Sequence, residues 1–125
     1  MNARKHGFSI IEMIIVVAVI GILAIITVFA FSNYRSRAAR TEVRNELTQG
    51  ASAAKNYRNF NNTYPVTANA FNAIHKSGSE LTLTYTPIGA GAGYCLTATS
   101  TNLTQSWYVS DAVVQPTTTK PAGCP

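Results

Sequence analysis

Charge is what this chain has least of. Only 12% of its 125 residues are Asp, Glu, Lys or Arg, and the acids number five in all. Histidine occurs only as His6 and His75, and cysteine only as Cys95 and Cys124. Catalysis needs a nucleophile, a base and an orienting group within reach of one another. No such set assembles here. His6 lies ahead of a long apolar run, and His75 stands in a polar stretch with no acidic neighbour. Glu80 and Asp111 fall at positions that do not suggest a shared site, and no G-x-S-x-G elbow occurs. The chain is therefore not expected to be an enzyme. The two cysteines are widely spaced, with no nearby partner of zinc-site type, and Asp111 has no acidic companions for calcium. No metal and no cofactor is expected.

What the chain does have in quantity is apolar sequence at one end. Residues 1–7 are short, polar and basic, with Arg4 and Lys5. From 8 to 31 the run is almost wholly apolar, interrupted by Ser9, Glu12, Gly21 and Thr27. At 1.5 Å per residue such a helix spans roughly 36 Å, enough to cross a bilayer core with tilt. Glu12 is the anomaly. A carboxylate near the start of a membrane helix costs about 2–3 kcal/mol on insertion scales, so it needs hydration at the interface or a positive partner. A free amine on Phe8 would supply that partner if the chain were cut after Gly7.

The string Lys5-His6-Gly7-Phe8-Ser9-Ile10-Ile11-Glu12-Met13 resembles the class III signal of the type IV pilin family and its related pseudopilins. Ser9 stands where Thr is commoner, and Met13 where Leu is. The resemblance implies a prepilin peptidase that cuts between Gly7 and Phe8 and methylates the Phe8 amine. It further implies that Glu12 pairs with that amine on a neighbouring copy during assembly. The implied partners are other copies of the chain, the peptidase, an assembly platform with its ATPase, and the membrane. The implied location is the cytoplasmic membrane, single-pass with the C-terminus outside, then an extracellular filament. A pilus subunit acting in motility or adhesion is the first reading, and a pseudopilin of type II secretion or of a competence (DNA-uptake) system the second. Many members carry a proline near the outer end of this helix. Phe29 occupies the place here, so any stretch that melts in a filament is expected to start at Gly21.

A different class of reading rests on Val28-Phe29-Ala30, which is similar to an ordinary secretory cleavage site. It would release a soluble binding domain, and an uncleaved signal anchor would tether the same domain. Four arginines, Arg35, Arg37, Arg40 and Arg44, follow the span, so a positive-inside count does not settle orientation.

Between 31 and 60 only Gly50 weakens a helix, and proline is absent. Val43, Leu47, Gly50 or Ala51, Ala54 and Tyr57 recur at three- and four-residue spacing, which makes one narrow apolar stripe. One helix from about 8 to 60 is expected. Its arginines read as a solvated face with local ion pairs to Glu42 and Glu46. Nucleic acid is a weaker reading for them, since nothing here reads bases.

Asn61-Asn62-Thr63-Tyr64-Pro65 ends the helix, and a short helical turn is expected near 70–75. Leu81, Leu83 and Tyr85 alternate with threonines as a half-buried strand. The stretch 87–93 reads as a turn, 94–100 as a second strand, and 107–110 as a third. The fold class is α+β: a long N-terminal helix packed in its second half on a three-stranded antiparallel meander. Its segments are a leader (1–7), a membrane or filament-core helix (8–34), an amphipathic helix half (35–60) and a globular sheet domain (61–125). In an exported domain an even cysteine count favours a disulfide over two reduced thiols. A Cys95–Cys124 bond would close a loop of roughly 30 residues, stabilising the fold by about 3–4 kcal/mol on the loop-entropy model.

Overall fold

The computed structural model describes residues 7–125, so the basic leader with Arg4, Lys5 and His6 lies outside the described residues. The contacts divide the chain into two units, one ending at Arg35 and one running Ser36–Pro125. The first element, α1, is an unbroken helix of 52 residues, Ile10–Asn61, which passes Gly21 without interruption. It stops where side-chain chemistry changes. Asn62 takes the left-handed conformation (φ 61°), and its N–H closes the last turn on the Arg58 carbonyl at 2.7 Å. Asparagine tolerates this conformation better than most residues, which is why it serves as a helix terminator.

The second unit is built on the far half of α1. Ala39, Val43, Leu47, Gly50, Ala51 and Ala54 are buried, which is the expected stripe shifted one turn towards the N-terminus, with Tyr57 half-buried. α2 follows as Ala68–Ile74, starting two residues earlier than expected because the Thr67 hydroxyl caps it by accepting from the Ala70 N–H at 3.1 Å. The sheet is β1 (Leu81–Ile88), β2 (Gly93–Ser100) and β3 (Trp107–Ser110), antiparallel throughout in the order β1-β2-β3. This is the expected meander with one correction. Pro87 and Ile88 belong to β1, paired with Tyr94 and Gly93, and the turn shrinks to Gly89–Gly91. β1 is an edge strand, and there a residue without an N–H donor is tolerated.

One core joins α1, α2 and the sheet. Leu47, Phe71, Tyr94, Leu96 and Val109 are all at most 1% exposed. Phe71 stacks on Tyr85 with centroids 4.5 Å apart, and Tyr94 lies edge-on to Tyr64 at 4.9 Å. Such aromatic pairs are worth about 0.5–1.5 kcal/mol beyond the area they bury. The Tyr85 hydroxyl donates to the Pro65 carbonyl at 2.7 Å, fastening the segment after α1 to the sheet. The buried Tyr94 hydroxyl has no hydrogen-bond partner among the described residues. Burial pushes both phenols above the usual tyrosine range, and the neighbouring tyrosines and Asp111 add to the shift.

The Pro- and Thr-rich tail does not lie loose. Cys124 is disulfide-bonded to Cys95 on the central strand. Tyr108 and Thr117 exchange two backbone hydrogen bonds at 2.7 and 3.0 Å, an isolated bridge along the outer side of β3. The Asp111 carboxylate sits so close to Gly93 that a Cβ there would lie 2.8 Å from Oδ1, so a larger residue at the start of β2 would have to displace the Asp111 side chain.

Candidate functional site

The N-terminal unit holds the residues that the sequence singles out. Ser9 and Glu12 form a reciprocal cap at the start of α1. The Ser9 N–H donates to Glu12 Oε2 at 2.7 Å, and the Glu12 N–H donates to the Ser9 hydroxyl at 3.3 Å. This is a capping box, with serine at the N-cap position and glutamate three residues on. The Ser9-x-x-Glu12 spacing carried the signal, although a membrane-buried charge is the more obvious reading of Glu12. Glu12 Oε1 makes no hydrogen bond among the described residues, so one carboxylate oxygen is left to accept from another group.

Beyond the cap, no described residue covers α1 between Ile10 and Phe31. Phe8 is 83% exposed, and every large apolar residue from Ile10 to Phe31 is also exposed. By length and composition α1 is the one helix among the described residues able to cross a membrane. An apolar surface of this extent, continuous around the helix, fits lipid or other apolar helices and is costly in water. Gly7 and Phe8 lie just ahead of the cap in backbone without helical structure, which leaves the Gly7–Phe8 bond outside the hydrogen-bonded helix.

In the second unit two expectations fail. Glu42 and Glu46 do not pair with Arg37, Arg40 or Arg44. The acid–arginine separations are two, five, six or nine residues, never the three or four that bring side chains together on a helix. Nor is His75 without an acid. Its Nε2 lies 2.8 Å from Glu46 Oε1, the only ion pair among the described residues, between groups 29 positions apart. No local spacing could have revealed it. Arg44 instead lies over the Trp107 ring, 5.8 Å from its centroid.

Residues 2–28 match the family model described as the prokaryotic N-terminal methylation motif. The chain is 49% identical over 53 residues to the type IV major alpha-pilin of Moraxella bovis, a stretch covering 42% of this chain and 33% of that protein. It is 32% identical over 94 residues to the type IV major pilin protein PilA of Myxococcus xanthus, covering 75% of this chain and 41% of the relative. The findings support a type IV pilin. A further type IV major fimbrial protein, FimA of Dichelobacter nodosus, is 43% identical over 49 residues, covering 39% of this chain and 31% of that one. The chain thus spans about a third to two-fifths of the length of these pilins. The long helix on a small antiparallel sheet is pilin-like as well.

Proposed function

We propose that this chain is the structural subunit of a type IV pilus-like extracellular filament. In this reading it is made as a single-pass precursor of the cytoplasmic membrane, with its C-terminal domain outside. A prepilin peptidase cuts after Gly7 and methylates the new Phe8 amine. An assembly platform and its ATPase then move the apolar helix from lipid into a filament core of like helices. No cofactor takes part. The observation that carries the reading is the match to the methylation motif over residues 2–28, which runs into an exposed apolar helix long enough to span a bilayer.

Glu12 has two separable roles in this account. Within the chain it completes the helix cap through Oε2. Between chains its charge meets the Phe8 amine of a neighbour, because an unpaired carboxylate among packed apolar helices would be strongly disfavoured. Two substitutions separate these roles. Glu12→Gln keeps a side chain able to cap but removes the charge, whereas Ser9→Ala removes the cap and keeps the charge. Sheared filament yield is expected to collapse in Glu12→Gln and to change little in Ser9→Ala, with both proteins still in the membrane fraction. Normal filaments from Glu12→Gln would sink the charge-pairing role.

A further inference from the structure

Opposite flanks of the second half of α1 carry opposite charge. Arg37, Arg40 and Arg44 follow one another at three- and four-residue spacing, so they form one row about 10 Å long. Glu42 and Glu46 form a second row, also at four-residue spacing. From Glu42 to Arg44 is two residues, roughly 200° of helical turn, which puts the two rows on different sides of the buried stripe. The packing agrees. Arg44 lies over Trp107 of β3, while Glu46 meets His75 after α2 and the Glu42 carboxylate approaches Gly78. Glu80 sits in the same turn as Gly78, just ahead of β1. The β1 edge therefore holds Glu42, Glu46 and Glu80, with Lys76 near them in sequence and Arg35 two helical turns ahead of Glu42, and the β3 edge holds the row of Arg37, Arg40 and Arg44.

For an isolated helix this arrangement is the wrong one. Its near-neighbour pairs, Arg37 with Arg40, Arg40 with Arg44 and Glu42 with Glu46, are all like-charged, and these spacings are unfavourable for like charges. All three arginines are exposed, and none has a carboxylate within ion-pair distance among the described residues. Beside Arg44, the uncharged side chains of Thr41, Asn45, Thr48 and Gln115 line a groove of about 280 Å³, which offers hydrogen bonds and no competing acid. Glu46 is held by His75, so among the described residues Glu42 and Glu80 are the acids of the opposite edge without an ion-pair partner.

We propose that the arginine row of one copy of this chain docks on the Glu42–Glu80 edge of the next. The two patches lie on different edges of one unit, so the contact is heterologous. Each copy keeps one patch unused after each addition, which is the geometry that extends into an open assembly. A symmetric pairing would set like charge on like. This inference rests on the filament reading above and adds to it a surface and a polarity of contact.

Charge exchange in the full-length chain tests it, read as sheared filament relative to total cell content. Arg37→Glu with Arg40→Glu, and separately Glu42→Arg with Glu80→Arg, should each lower filament yield by at least about tenfold, since like-charge juxtaposition at a contact is strongly unfavourable. The quadruple exchange, or co-expression of the two double variants, should restore it to within about twofold of the unaltered chain, the pairs being complementary again. Unchanged yield in either double variant, or a loss that neither combination repairs, overturns the proposal. So does an arginine variant that loses binding to a short DNA duplex while filament yield stays normal, which would make the row a polyanion site. Absence of filaments from the unaltered chain would refute the filament reading itself, and is read in a separate lane.

Discussion

The two halves of α1 obey different rules although they are one helix. In residues 10–31 apolar side chains face every direction and all the large ones are exposed. In 39–54 apolar character narrows to a stripe of mostly small residues, Ala39, Gly50, Ala51 and Ala54 with Val43 and Leu47, and the stripe is buried. Hence burial alone does not reveal which half is more apolar. The half with its own sheet has satisfied its stripe, whereas the other has more apolar surface than its own chain covers. That surplus is what a membrane and then a filament core would absorb.

The comparison is broken most sharply by one substitution made twice. Val17 and Gln49 are both exposed on α1. Val17→Lys should cost about 2.5–3.5 kcal/mol of membrane insertion and deplete the carbonate-resistant membrane fraction. Gln49→Lys should change stability by less than about 0.5 kcal/mol and leave that fraction intact. Equal effects would mean that the N-terminal half is not in lipid.

Alkali should act on the second unit alone. Tyr85 and Tyr94 are buried with their phenols held above the ordinary tyrosine range, whereas in the unfolded chain they ionise near pH 10. The folded state thus binds more protons than the unfolded one above that pH, and stability falls as pH rises. Each tyrosine removes about 1.4 kcal/mol per pH unit until its folded form also ionises. Fluorescence of Trp107, the only tryptophan, should report loss of the sheet domain above about pH 10 while much of the helical signal persists. Phenolate absorbance rising fully near pH 10 before Trp107 responds would contradict the burial of these hydroxyls.

The smallest effect is also a difference in sign. At Gly21 a Cβ would meet nothing within 4 Å, so Gly21→Ala should stabilise α1 by roughly 0.5–1 kcal/mol through helix propensity. At Gly50 the same atom would lie 3.1 Å from Leu96 Cδ1 and 3.4 Å from Phe71 Cζ. Overpacking of that kind costs about 1–3 kcal/mol, so Gly50→Ala should lower the urea midpoint of the sheet domain. Matching signs at the two glycines would remove the distinction between an open and a packed half.

Much of this architecture is legible in the residues themselves. Periodicity marks α1 and the alternating threonines mark β1, because each depends on near neighbours in the chain. The motif around Gly7, Phe8 and Glu12 is equally local. Long-range pairings are not. Glu46 finds His75 across 29 positions, Thr117 bridges to Tyr108, and Pro87 joins β1 only because that strand is at the edge of the sheet. The helix charges were legible but easily misjudged: mixed signs in one stretch suggest ion pairs, and only the spacing reveals two segregated rows.

The central claim is that the apolar half is released from its leader and carried into a polymer. The most direct test is the intact mass and N-terminal residue of protein sheared from the cell surface. A polymeric chain beginning at Phe8 with a methylated amine is the predicted result. A soluble chain beginning at Phe31 would contradict it, since a domain secreted by ordinary cleavage would have no use for Glu12 or for the helix that follows it.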